Sequence, residues 1–155
     1  MKRSKYASWT DCFMGLAKTI ALRSKDPNTQ VGACIVGPDH RVISLGYNGF
    51  PEGCSDDDFP WEKEGDALHI KYTYVVHAEL NAILNSKRDL KGCSLFVTLF
   101  PCNECAKAII QSGISTVYYE SDKYADLDST KASKAMLEAA GVRYIPISTS
   151  IKISF

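Results

Sequence analysis

Apolar positions recur along the chain with two different periods, which separate predicted helices from predicted strands. Spacings of three and four residues predict four helices, over residues 9–23, 78–87, 103–111 and 129–140. Short runs rich in Val, Ile, Leu and Tyr predict strands over residues 31–36, 42–47, 95–99, 117–119 and 142–145, with residues 151–155 as a further edge strand. The turn residues 37–40 predict that the first two strands form an antiparallel hairpin.

The order of these elements indicates an α/β fold. The second half alternates strand and helix, which is typical of layered α/β domains with parallel strands, and the opening hairpin makes the predicted sheet mixed. We find no internal repeat or linker, so we expect one domain over residues 1–155. Residues 49–74 are rich in turn formers and acids and are predicted to be an excursion from the core, a kind of loop that is often functional.

Composition excludes several classes of protein. The 155 residues carry 18 Lys and Arg against 18 Asp and Glu, so the formal net charge is zero. This balance argues against capture of nucleic acid or of an anionic membrane. Apolar runs are too short for a membrane span, and the first residues lack the apolar stretch of a secretion signal. We therefore expect a cytoplasmic protein with free thiols and with no nucleic-acid or membrane partner.

Two short motifs carry the candidate chemistry, His77-Ala78-Glu79 and Pro101-Cys102-Asn103-Glu104-Cys105, and each opens a predicted helix. Cys102 and Cys105, three residues apart, share one helical face, and the positive end of the helix dipole favours their thiolates. His77 can supply a third ligand. Three protein ligands leave one tetrahedral position open for water, which is the arrangement of a catalytic zinc site, with one Zn²⁺ per chain.

Glu79 follows the histidine by two residues and could reach that water without binding the metal. A carboxylate in this place is suited to general acid–base catalysis. A lone Cys-x-x-Cys would fit a redox centre or a structural zinc equally well. The two motifs together, in this order, form the pattern of zinc-dependent nucleobase deaminases.

Beyond the zinc motifs, the chain resembles the deoxycytidylate (dCMP) deaminases of the cytidine deaminase superfamily. The matching stretches are residues 23–33, 46–51, 53–57, 77–83, 99–107 and 121–124. The zinc motifs fit the whole superfamily, whereas Gly-Tyr-Asn-Gly-Phe-Pro at 46–51 and Ser-Asp-Lys-Tyr at 121–124 point to this branch.

The resemblance implies a three-layer α/β/α sandwich with a mixed five-stranded sheet. It implies hydrolytic deamination of dCMP to dUMP and ammonia, which supplies dUMP for dTMP synthesis. It also implies a homo-oligomer, a hexamer or a dimer, that is activated by dCTP and inhibited by dTTP. The acidic run 56–58 is either an exposed loop face or a site for Mg²⁺ with a triphosphate effector.

The resemblance also suggests substrate contacts. Asn48 would bond the sugar 3′-hydroxyl, although an asparagine there also suits a turn. Tyr124 would stack on the pyrimidine or be an ordinary half-buried tyrosine, and the backbone of Ala78 is a candidate to hold the base. The phosphate needs a cation, and the basic residues near the expected rim are Arg23, Lys25, Arg88 and Lys123, any of which could instead be a solvated surface charge.

Other functions stay open at this point. The runner-up is a deaminase of another cytosine or adenine substrate, such as dCTP, a nucleoside or an RNA base. A non-catalytic zinc module is a second alternative, but Glu79 would have no role in it. A redox protein using Cys102 and Cys105 is a third, and it would leave the His-x-Glu motif unexplained.

Overall fold

The structure is a computed structural model that describes residues 1–155, and we number its elements in chain order. The helices are α1 (Trp9–Ala21), α2 (Ala78–Asn85), α3 (Asn103–Gln111) and α4 (Asp128–Ala139). The strands are β1 (Gly32–Val36), β2 (Val42–Tyr47), β3 (Ser94–Leu99), β4 (Thr116–Ser121) and β5 (Arg143–Pro146). The excursion holds two 3₁₀ turns, Ala67–His69 and Lys71–Thr73. All of these helices and strands were predicted to within two residues at each end.

The five strands form one mixed sheet in the order β2-β1-β3-β4-β5. The predicted β1–β2 hairpin is confirmed as antiparallel, and β1 also pairs antiparallel with β3. The pairs β3–β4 and β4–β5 are parallel, each joined by a crossover helix. Cys102 follows the carboxyl end of β3, where open α/β sheets usually place their sites.

Helices cover both faces of the sheet, which confirms the three-layer sandwich. On one face Phe13, Met14 and Ala17 of α1 pack against Cys34 and Phe96. On the other face α2, α3 and α4 bury a larger cluster of 17 residues against the strands. None of the four helices combines the length and the apolar character that crossing a membrane requires.

The prediction of an edge strand over residues 151–155 is wrong. This segment has no strand pairing. Its carbonyl at Ile151 accepts a hydrogen bond from Lys18 Nζ at 3.5 Å, and the Ile151 side chain lies over Gly15 of α1. The half-buried side chain of Ile151 therefore packs on a helix instead of entering the sheet.

Gly46 of β2 allows α2 to lie directly on the sheet. A Cβ atom at this position would stand 2.3 Å from the carbonyl oxygen of Ala78 and 2.5 Å from the nitrogen of Ala82. Only glycine permits so close an approach of strand and helix backbones. The contact fixes the N-terminus of α2, where the His77-Ala78-Glu79 motif lies.

Candidate active site

The starts of α2 and α3 bring together three side chains that could hold a metal ion. His77 is the N-cap residue of α2 and Cys102 that of α3, while Cys105 lies in the first turn of α3. Nδ1 of His77 lies 3.4 Å from Sγ of Cys102 and 3.5 Å from Sγ of Cys105. The three ligand atoms all lie within 4.8 Å of one another.

The three groups share protons and charge. Hydrogen bonds from the Cys105 thiol and from His77 hold the pKa of Cys102 down at about 4. The hydrogen bond with the Cys102 sulfur raises the pKa of His77 to about 9. The pKa of Cys105 is raised because its proton is shared with Cys102 and because the thiol is buried. A thiolate is thus already favoured at Cys102, and a cation at the common point would replace the shared protons of the other two groups.

The donor set fits zinc. Zn–S bonds of about 2.3 Å and Zn–N bonds of about 2.0–2.1 Å at tetrahedral angles would place sulfur and nitrogen about 3.5 Å apart. The measured separations of 3.4 and 3.5 Å match this value. Two thiolates and an imidazole are also the soft and borderline ligands that zinc accepts.

Glu79 lies beside this cluster but outside it. Its side chain is buried at 4 % exposure, and burial raises the pKa of its carboxyl, against the opposing effect of a protonated His77. Glu79 lies in the first turn of α2, two residues beyond the histidine. A buried carboxyl with a raised pKa is suited to accept and return a proton near neutral pH.

A cavity of about 360 Å³ joins these groups to other side chains. Six of the residues singled out in the sequence line it, namely Asn48, His77, Ala78, Glu79, Cys102 and Tyr124. Leu99 and Phe100 supply an apolar wall next to the cluster. The volume lies in the range of small-molecule sites.

Asn48 is buried, and its side chain is held by two hydrogen bonds within the protein. Its Oδ1 accepts from the backbone N–H of Val31 at 2.8 Å, and its Nδ2 donates to the carbonyl of Thr29 at 2.9 Å. An amide of this kind has a second N–H and a second lone pair. The side chain is therefore fixed in orientation and retains polar capacity toward the cavity.

Tyr124 lies at the mouth of the cavity, with 40 % of its surface exposed. The ammonium group of Lys123 lies 5.1 Å from the centre of its ring. A hydrogen bond with the Thr29 side chain, followed by the charges of Lys123 and Lys63, lowers the pKa of Tyr124. The ring thus stands in a positive environment.

The structure does not bring Lys25 or Arg88 to the cavity. Lys25 pairs with Asp56 at 2.6 Å in a neighbouring cleft that also contains Arg23. Arg88 lies three residues beyond the end of α2. Because an eight-residue helix is about 12 Å long, Arg88 lies far from the end that carries His77.

Other charged residues in the cavity wall were not predicted. Lys71 and Asp26 line it as an ion pair of 2.5 Å, and both side chains are buried. Lys63 of the excursion lines it as well, together with Ser129 and Thr130 from the first turn of α4. In the sequence, the lysines of the excursion have no pattern that distinguishes them from surface charges.

Comparison with known proteins agrees with this geometry. A family model described as the cytidine and deoxycytidylate deaminase zinc-binding region matches residues 7–121. A probable deoxycytidylate deaminase of Drosophila melanogaster is 57 % identical over 164 residues, covering 99 % of this chain and 81 % of that protein. Human deoxycytidylate deaminase is 52 % identical over 159 residues, covering 99 % and 89 %.

A solved structure gives the same result at the level of the fold. The crystal structure of dCMP deaminase from the cyanophage S-TIM5 in complex with dCMP and dUMP has a TM-score of 0.73 and 25 % sequence identity. The match covers 92 % of this chain and 99 % of that one. The chain therefore belongs to the cytidine and deoxycytidylate deaminase family.

Proposed function

We propose that the protein catalyses the hydrolytic deamination of dCMP to dUMP and ammonia. One observation carries the proposal: a single cavity is lined by His77 and Cys102 of the His-Cys-Cys cluster, by the buried carboxyl of Glu79 and by Asn48 and Tyr124. The similarity to deoxycytidylate deaminases over nearly the whole chain supports the same substrate.

His77, Cys102 and Cys105 would hold one zinc ion, as the spacing of their donor atoms allows. When bound, zinc acts as a Lewis acid that makes a water molecule acidic near neutral pH. Three protein ligands would leave one tetrahedral position for a water molecule.

Glu79 would carry the protons. Its carboxylate accepts a proton from the attacking water and delivers it to N3 of the cytosine ring as the water oxygen bonds to C4. It then takes the proton of the new C4 hydroxyl and passes it to the C4 amino group, which leaves as ammonia while the C4 carbonyl forms. The buried position of Glu79 keeps its proton affinity high enough for both transfers.

Other residues would position the nucleotide. The backbone N–H of Ala78 lies in the first turn of α2, where it has no intrahelical acceptor, and can bond the edge of the base. The fixed amide of Asn48 would bond the sugar hydroxyl, and the Tyr124 ring would stack on the pyrimidine.

The test is an assay of the zinc-loaded protein on dCMP, deoxycytidine, dCTP and adenosine, with product identified by chromatography. We expect dUMP from dCMP, with kcat/KM exceeding that of deoxycytidine by about 10³-fold, or about 4 kcal/mol. The assays of dCMP, deoxycytidine and adenosine contain dCTP at micromolar concentration. Without this activator, an enzyme that prefers dCMP could show no preference between dCMP and deoxycytidine. Equal efficiency on deoxycytidine would instead identify a nucleoside deaminase, and activity on dCTP or adenosine alone would identify the alternative substrates.

Assembly, regulation and location form a separate part of the proposal. Residues 1–155 would act as one deaminase domain in a cytoplasmic homo-oligomer, a hexamer or a dimer, with dCTP as activator and dTTP as inhibitor. Family resemblance supports this, as does the polar cleft that contains Arg23, Lys25 and Asp56, where Mg²⁺ could accompany a triphosphate. Light scattering gives the oligomer size, and titration of dCTP and dTTP, with and without Mg²⁺, tests the regulation.

A further inference from the structure

Apart from Glu79 and the side chains of the His-Cys-Cys cluster, three charged side chains line the cavity, those of Asp26, Lys63 and Lys71. Asp26 and Lys71 form a buried ion pair, so together they add no net charge. Lys63 makes no ion pair and is exposed to solvent. It is therefore the uncompensated positive charge of the cavity wall.

A second lysine lies at the mouth of this cavity, next to Tyr124. Lys123 likewise has no acidic partner, and its ammonium group lies 5.1 Å from the centre of the Tyr124 ring. Lys63 and Tyr124 line the same cavity, so the two lysines flank one tyrosine at the cavity mouth.

The first turn of α4 adds neutral donors to the same cavity. Ser129 and Thr130 line it, and Thr130 is buried at 5 % exposure with a hydroxyl that makes no hydrogen bond within the protein. The N–H groups of Asp128 and Ser129 have no acceptor in the preceding loop, because Leu127 provides no side-chain cap. An anion with several oxygens could accept from these donors.

The buried ion pair determines where Lys63 stands. The backbone N–H of Lys71 donates to the carbonyl of Glu62 at 2.9 Å, which is the residue next to Lys63. Asp26 in turn accepts from Lys71 Nζ and from the backbone N–H groups of Asn28 and Thr29. The excursion is thus tied to the loop before β1 at the point where it presents Lys63 to the cavity.

We propose that Lys63 selects the 5′-phosphate of the substrate, with Lys123 and the first turn of α4 completing the subsite and the Asp26–Lys71 pair positioning it. This inference rests on the proposed function, because it assumes a nucleotide in the cavity. A phosphate dianion gains a charge-assisted bond that the uncharged 5′-hydroxyl of a nucleoside cannot make. The excursion thereby acquires a role in substrate selection.

The experiment compares Lys63→Gln and Lys63→Arg with the wild type, with Lys87→Gln as a matched control. Lys87 is an exposed lysine beyond the end of α2 and outside the cavity. The measured quantity is the ratio of kcat/KM for dCMP to that for deoxycytidine, at fixed dCTP with zinc-loaded protein. Dissociation constants for dUMP and deoxyuridine provide a readout that does not depend on turnover.

For Lys63→Gln we expect the ratio to fall about tenfold or more, and the affinity for dUMP to fall in parallel, since a hydrogen bond to a charged group is roughly twice as strong as a neutral one. Lys63→Arg should keep the ratio within about threefold, and Lys87→Gln should leave it unchanged. An unchanged ratio in Lys63→Gln, while the wild type still prefers dCMP, would overturn the inference and leave the proposed function intact. A wild type without any preference for dCMP would overturn the proposed function itself.

Discussion

Nδ1 of His77 lies 3.4 Å from Sγ of Cys102, although the two residues are 25 positions apart and begin different helices. The contact exists because α2 and α3 start at the same end of the sandwich, α2 resting on β2 through Gly46 and α3 following the carboxyl end of β3. Both helix N-termini face the shared point, where their positive ends stabilise thiolates. The geometry of the cluster is thus a consequence of the sheet order.

Replacing Cys102 with Ala should remove both the metal and the activity, because two protein ligands do not hold zinc tightly. Zinc content, measured by atomic absorption, should fall from one per chain to a small fraction. Cys12→Ala, at an exposed position of α1, is the matched control and should keep both. A Cys102→Ala protein that is free of zinc and fully active would rule out the zinc-dependent mechanism.

Glu79→Gln should keep zinc and fold but lose proton transfer. General acid–base catalysis contributes about 10²–10⁴-fold, and we expect a loss at or beyond the upper limit because one carboxyl serves several transfers. The thermal unfolding midpoint should not fall, since a neutral amide replaces a carboxyl whose charged form is disfavoured by burial. Glu104→Gln, at an exposed position of α3, controls for loss of an acid near the cluster.

A loss smaller than tenfold in Glu79→Gln, with zinc retained, would show that another group carries the proton. Zinc content and kcat must therefore be measured on the same preparation, so that loss of metal is not mistaken for loss of the base.

Sequence patterns predicted the parts of this protein that depend on local order. The spacing of apolar residues was enough to locate the helices and strands. The three-residue spacing of Cys102 and Cys105 was enough to predict that they lie on one face of α3. The tail at 151–155 was mistaken for a strand because alternation alone does not say whether an apolar side chain will meet a sheet or a helix. In this fold Ile151 meets α1.

The charged residues of the cavity depend on long-range contacts that no local pattern contains. Lys71 and Asp26 are 45 positions apart, and their pairing is decided by how the excursion folds back on the loop before β1. Lys25 was a candidate for the phosphate because it lies next to that loop, but Asp56 of the excursion holds it in another cleft. Lys63 was not predicted, because the sequence around it does not distinguish it from an ordinary surface lysine.

Gly46→Ala should displace α2 and lower the activity. The effect should be larger than that of a Gly→Ala change at a buried site that has room for the methyl group. The added Cβ would stand 2.3 Å from a backbone oxygen of α2, so strand or helix must move. We expect a loss of about 1–3 kcal/mol in the free energy of unfolding, together with a fall in zinc affinity, because His77 moves with the helix. Urea unfolding and zinc titration measure the two effects.

Gly15→Ala provides the comparison for that variant. Gly15 is also buried, but its added Cβ would lie 3.6 Å from Ile151, an ordinary contact, and the residue lies inside α1. Alanine in a helix interior is favoured over glycine by about 0.5–1 kcal/mol, so this protein should be as stable as the wild type or more so. If Gly46→Ala behaved like Gly15→Ala, the close approach of β2 and α2 would not be what positions the site.

The Asp26–Lys71 pair should make stability depend on pH in the acid range. Burial acts to raise the pKa of Asp26, but the bonds from Lys71 and from the N–H groups of Asn28 and Thr29 outweigh it, and the pKa lies below its ordinary value of 3.8. A carboxyl with a depressed pKa in the folded state stabilises the protein above its unfolded pKa. That contribution is lost as the pH falls through the lower, folded value.

Lys71→Met would leave the Asp26 carboxylate buried without its partner, so we expect a loss of about 3–5 kcal/mol in the free energy of unfolding at pH 7. The deficit relative to the wild type should shrink as the pH falls from 7 toward 4, because burial without Lys71 raises the pKa of Asp26 in the variant, so that its unpaired carboxylate takes up a proton in this range. The double variant Asp26→Asn with Lys71→Met removes both charges and should recover part of the loss at pH 7. Urea unfolding at matched zinc loading, from pH 7 to pH 4, measures all three proteins, and a deficit that stays constant across this range would mean that Lys71 stabilises the excursion by packing and not by its charge.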